Sequence, residues 1–334
     1  MRDHYLDTNK AVLIFLVVFG HFLERMIGWQ DHINHALLGT IYFIHMPAFI
    51  LISGMLYKDN KWLKNILFFI ALYIPFQVLL PAFDALWSGT FQIKWNVFER
   101  PYWILWYLMG MMAWTLLTHI LLKIKHFAFP IAILLSLFIG LSPWNNYQYS
   151  IGRIFTFFPF FIFGTLYGKA IFQYLQQFKY LRFIAVFTLV DIFVWVYLSQ
   201  LNPFWLYGSL SYAQLHMSAW AGVGLRLLFL IISFVGSLAL FSLVGLIKGH
   251  FITLGQYTLP VYLLHGFVVM LIARSLTLNL NIYAEIGICI VLSILTCWLL
   301  QQPIFDRILR KISLWLMKPI EQLGIKLEIK SLNK

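Results

Sequence analysis

Charge is scarce in this chain: only 11% of its 334 residues are Asp, Glu, Lys or Arg, against 61% hydrophobic, and the mean hydropathy is +0.82. A water-soluble core cannot absorb that much apolar surface, so an ordinary soluble domain is excluded. Cysteine is confined to Cys289 and Cys297. Eight residues apart on one expected helix, they stand about 80° apart around its axis and are badly placed to bridge each other, so they say nothing about redox compartment. No extended Gly, Ser or Pro tract divides the chain and no fixed-period repeat is evident; one membrane domain is expected. Metal-ligand spacings, a nucleotide-binding glycine loop and a Gly-x-Ser-x-Gly elbow are also missing, and the expectation is no metal and no bound redox cofactor.

What the chain has is apolar runs of roughly 20 residues, the length that crosses a hydrocarbon layer. They are continuously apolar, where barrel strands would alternate, so helices are expected. The spans fall near residues 9–28, 36–57, 62–83, 101–122, 128–142, 150–170, 181–200, 222–246, 257–275 and 281–302. This is an all-α fold, a polytopic bundle of about ten transmembrane helices. The first run ends in His21, Glu24 and Arg25, where a signal peptide would carry small residues for cleavage, and is expected to be retained.

Basic residues divide unevenly over the loops. Six of the 24, Arg25, Lys94, Arg100, Arg153, Arg226 and Arg274, fall on one side and the rest on the other, which places both termini in the cytoplasm. The net charge of +12 then follows mostly from topology, and nucleic acid is not an expected partner. Residues 1–303 form the expected transmembrane domain and 304–334 a basic amphipathic cytoplasmic tail. Trp315 with Arg307, Arg310 and Lys311 suits a helix lying along an anionic leaflet, and equally a solvated tail.

Ionisable groups inside spans are the best pointers to function. Along the first helix Asp7, Lys10, Ile14, Val17, His21 and Glu24 recur at threes and fours and form one stripe. Lys10 and His21 lie about 20° from alignment and about 16 Å apart along the axis, so one helix face can link substrates arriving from opposite sides. Histidine moves protons near neutral pH, although a structural bond to Glu24 would also account for His21. His45 precedes Pro47 on the second helix and is a second proton carrier or a satisfied bundle histidine. Ser53 and Gly54 favour close helix packing. Lys58, Lys61 and Lys64 make a cationic cluster that suits phosphates, as the positive-inside bias would also produce. Asp84, Glu99, Arg100, Arg153, Arg226 and Arg274 lie near outer helix ends, placed to bind a polar acceptor or to snorkel. Trp103, Trp106 and Tyr107 can stack on a sugar or belong to an aromatic belt, and Asp191, in mid-helix, should have a partner.

Four segments together resemble the membrane acyltransferase 3 family, and within it the group similar to fucose 4-O-acetylases: YLDTNKAVLIFLVVFGHFLE from Tyr5, FIHMPAFILISGMLYK from Phe43, ERPYWILWYLMGMM from Glu99 and LGQYTLPVYLLHGFVV from Leu254. The resemblance implies a multi-pass enzyme of the bacterial cytoplasmic membrane. It would transfer an acyl group, usually acetyl from acetyl-CoA, to a hydroxyl of a surface glycan or its lipid-linked precursor. The family commonly carries an arginine ahead of the first-helix histidine; here Lys10 stands in its place and lacks the bidentate fork. Ser53 and Gly54 match the family's second-helix Ser-Gly, and His265 its late Tyr-x-x-His. On this reading His21 is general base or transient acyl acceptor, oriented by Glu24 or His45. Lys10, Lys58, Lys61, Lys64 and Ser53 hold the acyl-CoA, and Arg153, Trp103 and His265 bind the acceptor. The rival from another class is a transporter or flippase for lipid-linked sugar or polysaccharide, which would usually reveal paired, interrupted half-structures; no such symmetry is convincing. Acyl group, acceptor sugar and oligomeric state stay open.

Overall fold

The first helix, α1 (His4–Met26), starts where Asp3 turns extended and its carboxylate accepts the free amides of Tyr5 and Leu6. The second, α2 (His32–Met55), starts the same way on Asp31. After them come α3 (Trp62–Ser88), α4 (Trp106–Leu121), α5 (Lys125–Phe138), α6 (Ile151–Gln177), α7 (Leu181–Ser199), α8 (Phe204–Tyr207), α9 (Ala219–Val244), α10 (Ile252–Gln256), α11 (Thr258–Ser275), α12 (Ile282–Leu300) and α13 (Pro303–Gly324). The computed structural model describes residues 3–88, 98–143 and 147–324, and no strand occurs among them. Arg2, Lys94, Lys326, Lys330 and Lys334, counted in the charge split, lie outside the described residues.

Nine stretches of described residues are long and apolar enough to cross a membrane, and the protein is a multi-pass helix bundle. The sequence separates ten because residues 103–141 form one helical stretch with two legs. A 3-10 turn, Leu122–Ile124, joins α4 to α5, and the backbone breaks at Ile124 (φ −120°, ψ 49°). The legs run in opposite directions. His119, late in α4, bonds Asp59 at the lysine-rich end, whereas Gly140, just past α5, accepts the Tyr212 amide at the opposite end.

Basic residues sort by end in the folded chain. Lys248 bonds Gln176 and Arg182 bonds the Gly245 carbonyl at one end; Arg25, Arg100 and Arg153 lie over aromatic rings at the other, where Arg274 pairs with Asp84. α1 runs through the middle, packed by α2, α10, α11 and α12. Across it, α2 and α6 touch backbone to backbone. A Cβ on Gly54 would lie 2.0 Å from the Phe161 carbonyl oxygen, and one on Gly164 1.9 Å from that of Leu51, so these glycines let the helices meet.

Phe183, Phe187, Val190 and Val194 of α7 point outward, with Val291, Leu295 and Trp298 of α12, as a lipid-facing belt requires. Asp191 turns outward among them and pairs with no described residue, contrary to the expectation of a partner. The first part of the basic tail, α13, packs against α3 and α11, and its residue Arg310 pairs with Asp306 at 2.7 Å.

Candidate active site

The site grows from the polar stripe of α1. His21 and Glu24 are one turn apart, and His21 Nδ1 lies 3.5 Å from Glu24 Oε2, with the side chains 15% and 20% exposed. That separation is electrostatic contact, slightly too long for a hydrogen bond. Around the carboxylate the other contacts are all donors. Tyr42 from α2 donates to Oε2 at 2.7 Å, Tyr207 from α8 donates to Oε1, and Trp29 Nε1 reaches Oε1 at 3.5 Å and the Tyr207 hydroxyl at 3.1 Å. Burial and the neighbouring Glu24 both raise the Tyr207 pKa well above its ordinary value, so its phenol stays protonated and remains a donor. A carboxylate held this way is fixed in place and set to stabilise a proton on the facing imidazole.

The His21 ring is held on two further sides. His265 from α11 stacks on it with centroids 5.3 Å apart, and Trp103 meets it edge-on at 4.8 Å. His265 is fully buried, with Nδ1 on the Val261 carbonyl at 2.9 Å and Nε2 without a partner. It therefore stands behind His21, stacked on its ring, and is not part of the wall of the cavity that His21 lines. Trp103 has a left-handed backbone (φ 39°), a strained conformation for an aromatic residue, and Arg25 lies 4.5 Å over its ring. His45 faces the same cavity as His21, but its partners are the Ile41 carbonyl at 2.6 Å and the Tyr42 ring; Glu24 is the group that contacts His21.

This cavity, about 500 Å³, is walled by His21, Glu24, His45, Trp103, Trp106 and Arg153 among others. It shares Glu24, Trp103, Arg153 and Tyr207 with a wider vestibule of about 1210 Å³ that adds Arg25, Arg100 and Tyr147 at the end away from the lysines. Arg153 lies 5.2 Å from the Trp106 ring centre, 5.3 Å from that of Tyr147 and 5.5 Å from that of Tyr207, with its Nε unpartnered. Such aromatic and guanidinium planes suit a polyhydroxylated ring. Gln77 ties the rim down: it donates to the Arg100 carbonyl and accepts from the Tyr102 amide, both at 2.9 Å.

A second cavity, about 1580 Å³, opens at the lysine-rich end. It is lined by Lys10, Lys61, Lys64 and Arg310, then by Ser53, Tyr107 and Tyr262 deeper in. Lys10 is also paired with Asp7 at 2.7 Å. Ser53 bonds the Tyr107 hydroxyl at 2.6 Å and the Phe49 carbonyl at 2.8 Å. Lys58 is exposed and is not part of this wall; it sits just ahead of the short helix that carries Lys61. The two cavities come close. On α2, Met46 lines the outer one and Phe49 the inner, and on α4 Trp106 lines the outer and Tyr107 the inner, so about one helical turn of side chains separates them.

The fold thus gathers His21, Glu24, His45, Trp103 and Arg153 around one space and Lys10, Lys61, Lys64 and Ser53 around another. Sequence reasoning missed Tyr42, Tyr207 and the place of Arg310 at the edge of the lysine-lined cavity, where its half-exposed side chain pairs with Asp306. Tyr42 is three residues before His45 on the same helix face, a signal that was present. Tyr207 belongs to a four-residue helix after Pro203, too short for any periodicity to show. Among the described residues no group of three or more His, Cys, Asp or Glu is placed to hold a metal ion.

A family model described as an acyltransferase domain, Acyl_transf_3, matches residues 3–302. No curated protein and no solved structure matches the chain.

Proposed function

Starting from the fact that the chain belongs to the Acyl_transf_3 acyltransferase family, we propose that it is an O-acyltransferase moving an acyl group, acetyl in the simplest case, from acyl-CoA to a hydroxyl of a glycan or lipid-linked sugar. The lysine-rich end faces the cytoplasm of a bacterial cell and takes the donor. Lys61 and Lys64 offer cations to phosphates at the mouth of the inner cavity, joined by Lys10 and Arg310 from their ion pairs with Asp7 and Asp306, while Phe49, Phe68 and Tyr107 give the donor's thin arm an apolar wall. Along α1, Lys10 and His21 are about 16 Å apart, within reach of an extended pantetheine arm.

The acceptor enters the vestibule and rests on Trp103, Trp106 and Arg153. A proton on His21 Nδ1, facing Glu24, leaves Nε2 as the base. As the acceptor oxygen attacks the thioester carbonyl, its proton passes to Nε2, and Glu24 stabilises the imidazolium that forms. The C–S bond then breaks, and the departing sulfur takes that proton to leave as free thiol. General-base assistance of this kind contributes on the order of 10²–10⁴-fold.

The observation that carries the reading is the placement of the His21–Glu24 pair where a cation-lined cavity and an aromatic vestibule from opposite ends approach within one helical turn. Purified protein in sealed vesicles, given labelled acetyl-CoA on one face and an acceptor sugar on the other, tests it. The expected result is release of free CoA with the label in the sugar. Unchanged donor together with movement of the sugar across the vesicle would identify a carrier and end the proposal.

A further inference from the structure

Cations are few at the end of the bundle away from the lysines, yet three of them share one wall. Of the six basic residues that the sequence puts there, Lys94 lies outside the described residues, Arg226 is buried at 3% exposure instead of snorkelling, and Arg274 pairs with Asp84. The other three, Arg25, Arg100 and Arg153, all line the vestibule of about 1210 Å³. Arg25 and Arg100 are exposed, and Arg153 is half-buried. Among the described residues none of the three is in an ion pair. Arg25 lies 4.5 Å over the Trp103 ring and Arg100 4.1 Å over that of Tyr147. A ring beside a guanidinium attracts it but cancels no charge.

The same wall holds one carboxylate, Glu24, which leaves a surplus of two positive charges; Glu99, beside Arg100 in sequence, is not part of it. Glu24 is already engaged by Tyr42, Tyr207 and His21. α6 adds to the imbalance, because it begins at Ser150 on this wall and no side chain caps it. The Ile151 amide is taken by the Gln148 carbonyl, so the helix end supplies field and the arginines supply donors. An anion with two charges matches the surplus, whereas one carboxylate leaves half of it. Arg25 follows His21 by one turn of α1, about 6 Å along the axis. Trp103 touches both, edge-on to the imidazole at 4.8 Å and beneath the guanidinium, and the interval is about the width of one sugar ring.

We propose that the acceptor carries phosphate on the sugar that is acylated. Arg25 and Arg100 grip the phosphate oxygens through charge-assisted hydrogen bonds, Arg153 adds its charge behind them, and the sugar lies over Trp103 with a hydroxyl towards His21. The phosphate belongs either to a lipid carrier or to the glycan itself. What happens to the sugar rests on the acyl-transfer reading; the phosphate site is tested without it.

The test is thermal unfolding of the purified full chain in an uncharged detergent, titrated with glucose 1-phosphate, farnesyl diphosphate, glucuronate or farnesol and with no acyl donor present. A saturable rise is expected with the two phosphates, a much smaller one with glucuronate and none with farnesol. Arg25→Gln and Arg100→Gln should each weaken phosphate binding about tenfold, the loss of one charge-assisted contact. Arg274→Gln, whose partner is Asp84, should bind as the wild type does. Tighter binding of farnesyl diphosphate assigns the phosphate to a lipid carrier, and tighter binding of glucose 1-phosphate assigns it to the glycan; both support the proposal. No rise with either phosphate would overturn it, as would unchanged affinity in a variant carrying both arginine substitutions. So would an affinity lost only in Lys61→Ala and Lys64→Ala, or glucuronate binding as tightly as glucose 1-phosphate. These outcomes are separate from acyl transfer, since a carrier could hold such a site and an acyltransferase for uncharged glycans would lack it.

Discussion

Replacing Glu24 by glutamine removes one charge from the cavity and leaves its shape. At 3.5 Å from His21 Nδ1, a carboxylate attracts an imidazolium by about 5 kcal/mol at an effective dielectric constant near 20. Since each 1.4 kcal/mol or so in the barrier is tenfold in rate, full loss of that term would slow transfer about 10³-fold. The cavity joins a wide vestibule, so water recovers part of the loss, and the expected fall is about 10²–10³-fold. The amide also replaces one acceptor oxygen by a donor, although Tyr42 and Tyr207 each donate to a separate oxygen. Tyr207→Phe and Tyr42→Phe, which remove one donor each and keep the charge, should slow the reaction only about tenfold. Single-turnover CoA release in nanodiscs with saturating donor and acceptor measures all three. If Glu24→Gln retains a rate within threefold of wild type, Glu24 does not stabilise a protonated His21 and this electrostatic argument fails.

Other expectations follow from the same geometry. Lys61→Ala, Lys64→Ala and Arg310→Ala should each raise the donor KM roughly tenfold with little change in kcat, the loss expected for one charge-assisted contact to phosphate; Lys58→Ala, outside the cavity wall, should stay within twofold. A steady-state titration of acetyl-CoA separates these cases. Gly54→Ala drives a Cβ onto the Phe161 carbonyl oxygen and should lower stability by about 3 kcal/mol or more. Gly224→Ala, where a Cβ meets nothing within 4 Å, is the matching control in thermal unfolding.

The helices were legible because a bilayer demands continuous apolar runs, and composition alone reports that demand. The α4–α5 hairpin was legible as two spans and not as one stretch, because a 3-10 turn fills the gap between the helices and leaves only a single backbone break, at Ile124, where hydropathy also marks one. At the site, the stripe from Asp7 to Glu24 was visible because spacing along one helix is fixed by its pitch. What surrounds Glu24 was not, since Tyr42, Tyr207 and Trp29 reach it from three segments whose approach depends on tertiary packing. His265 was found by resemblance, but only the stacking distance shows that it supports His21 from behind. Arg310 escaped because an amphipathic tail reads the same whether its basic face meets a leaflet or the mouth of a cavity. Arg226 was misjudged for a similar reason: position near a helix end does not reveal that neighbouring helices close over it.

The central claim is that the His21 imidazole carries the proton in acyl transfer. Its most direct test is His21→Gln, which keeps a polar side chain in the cavity and removes the base. In single-turnover assays with labelled acetyl-CoA, on protein shown to be folded by its unfolding temperature, the label should stay on CoA, with transfer reduced about 10²-fold or more. Label reaching the acceptor at the wild-type rate in that variant would contradict the mechanism.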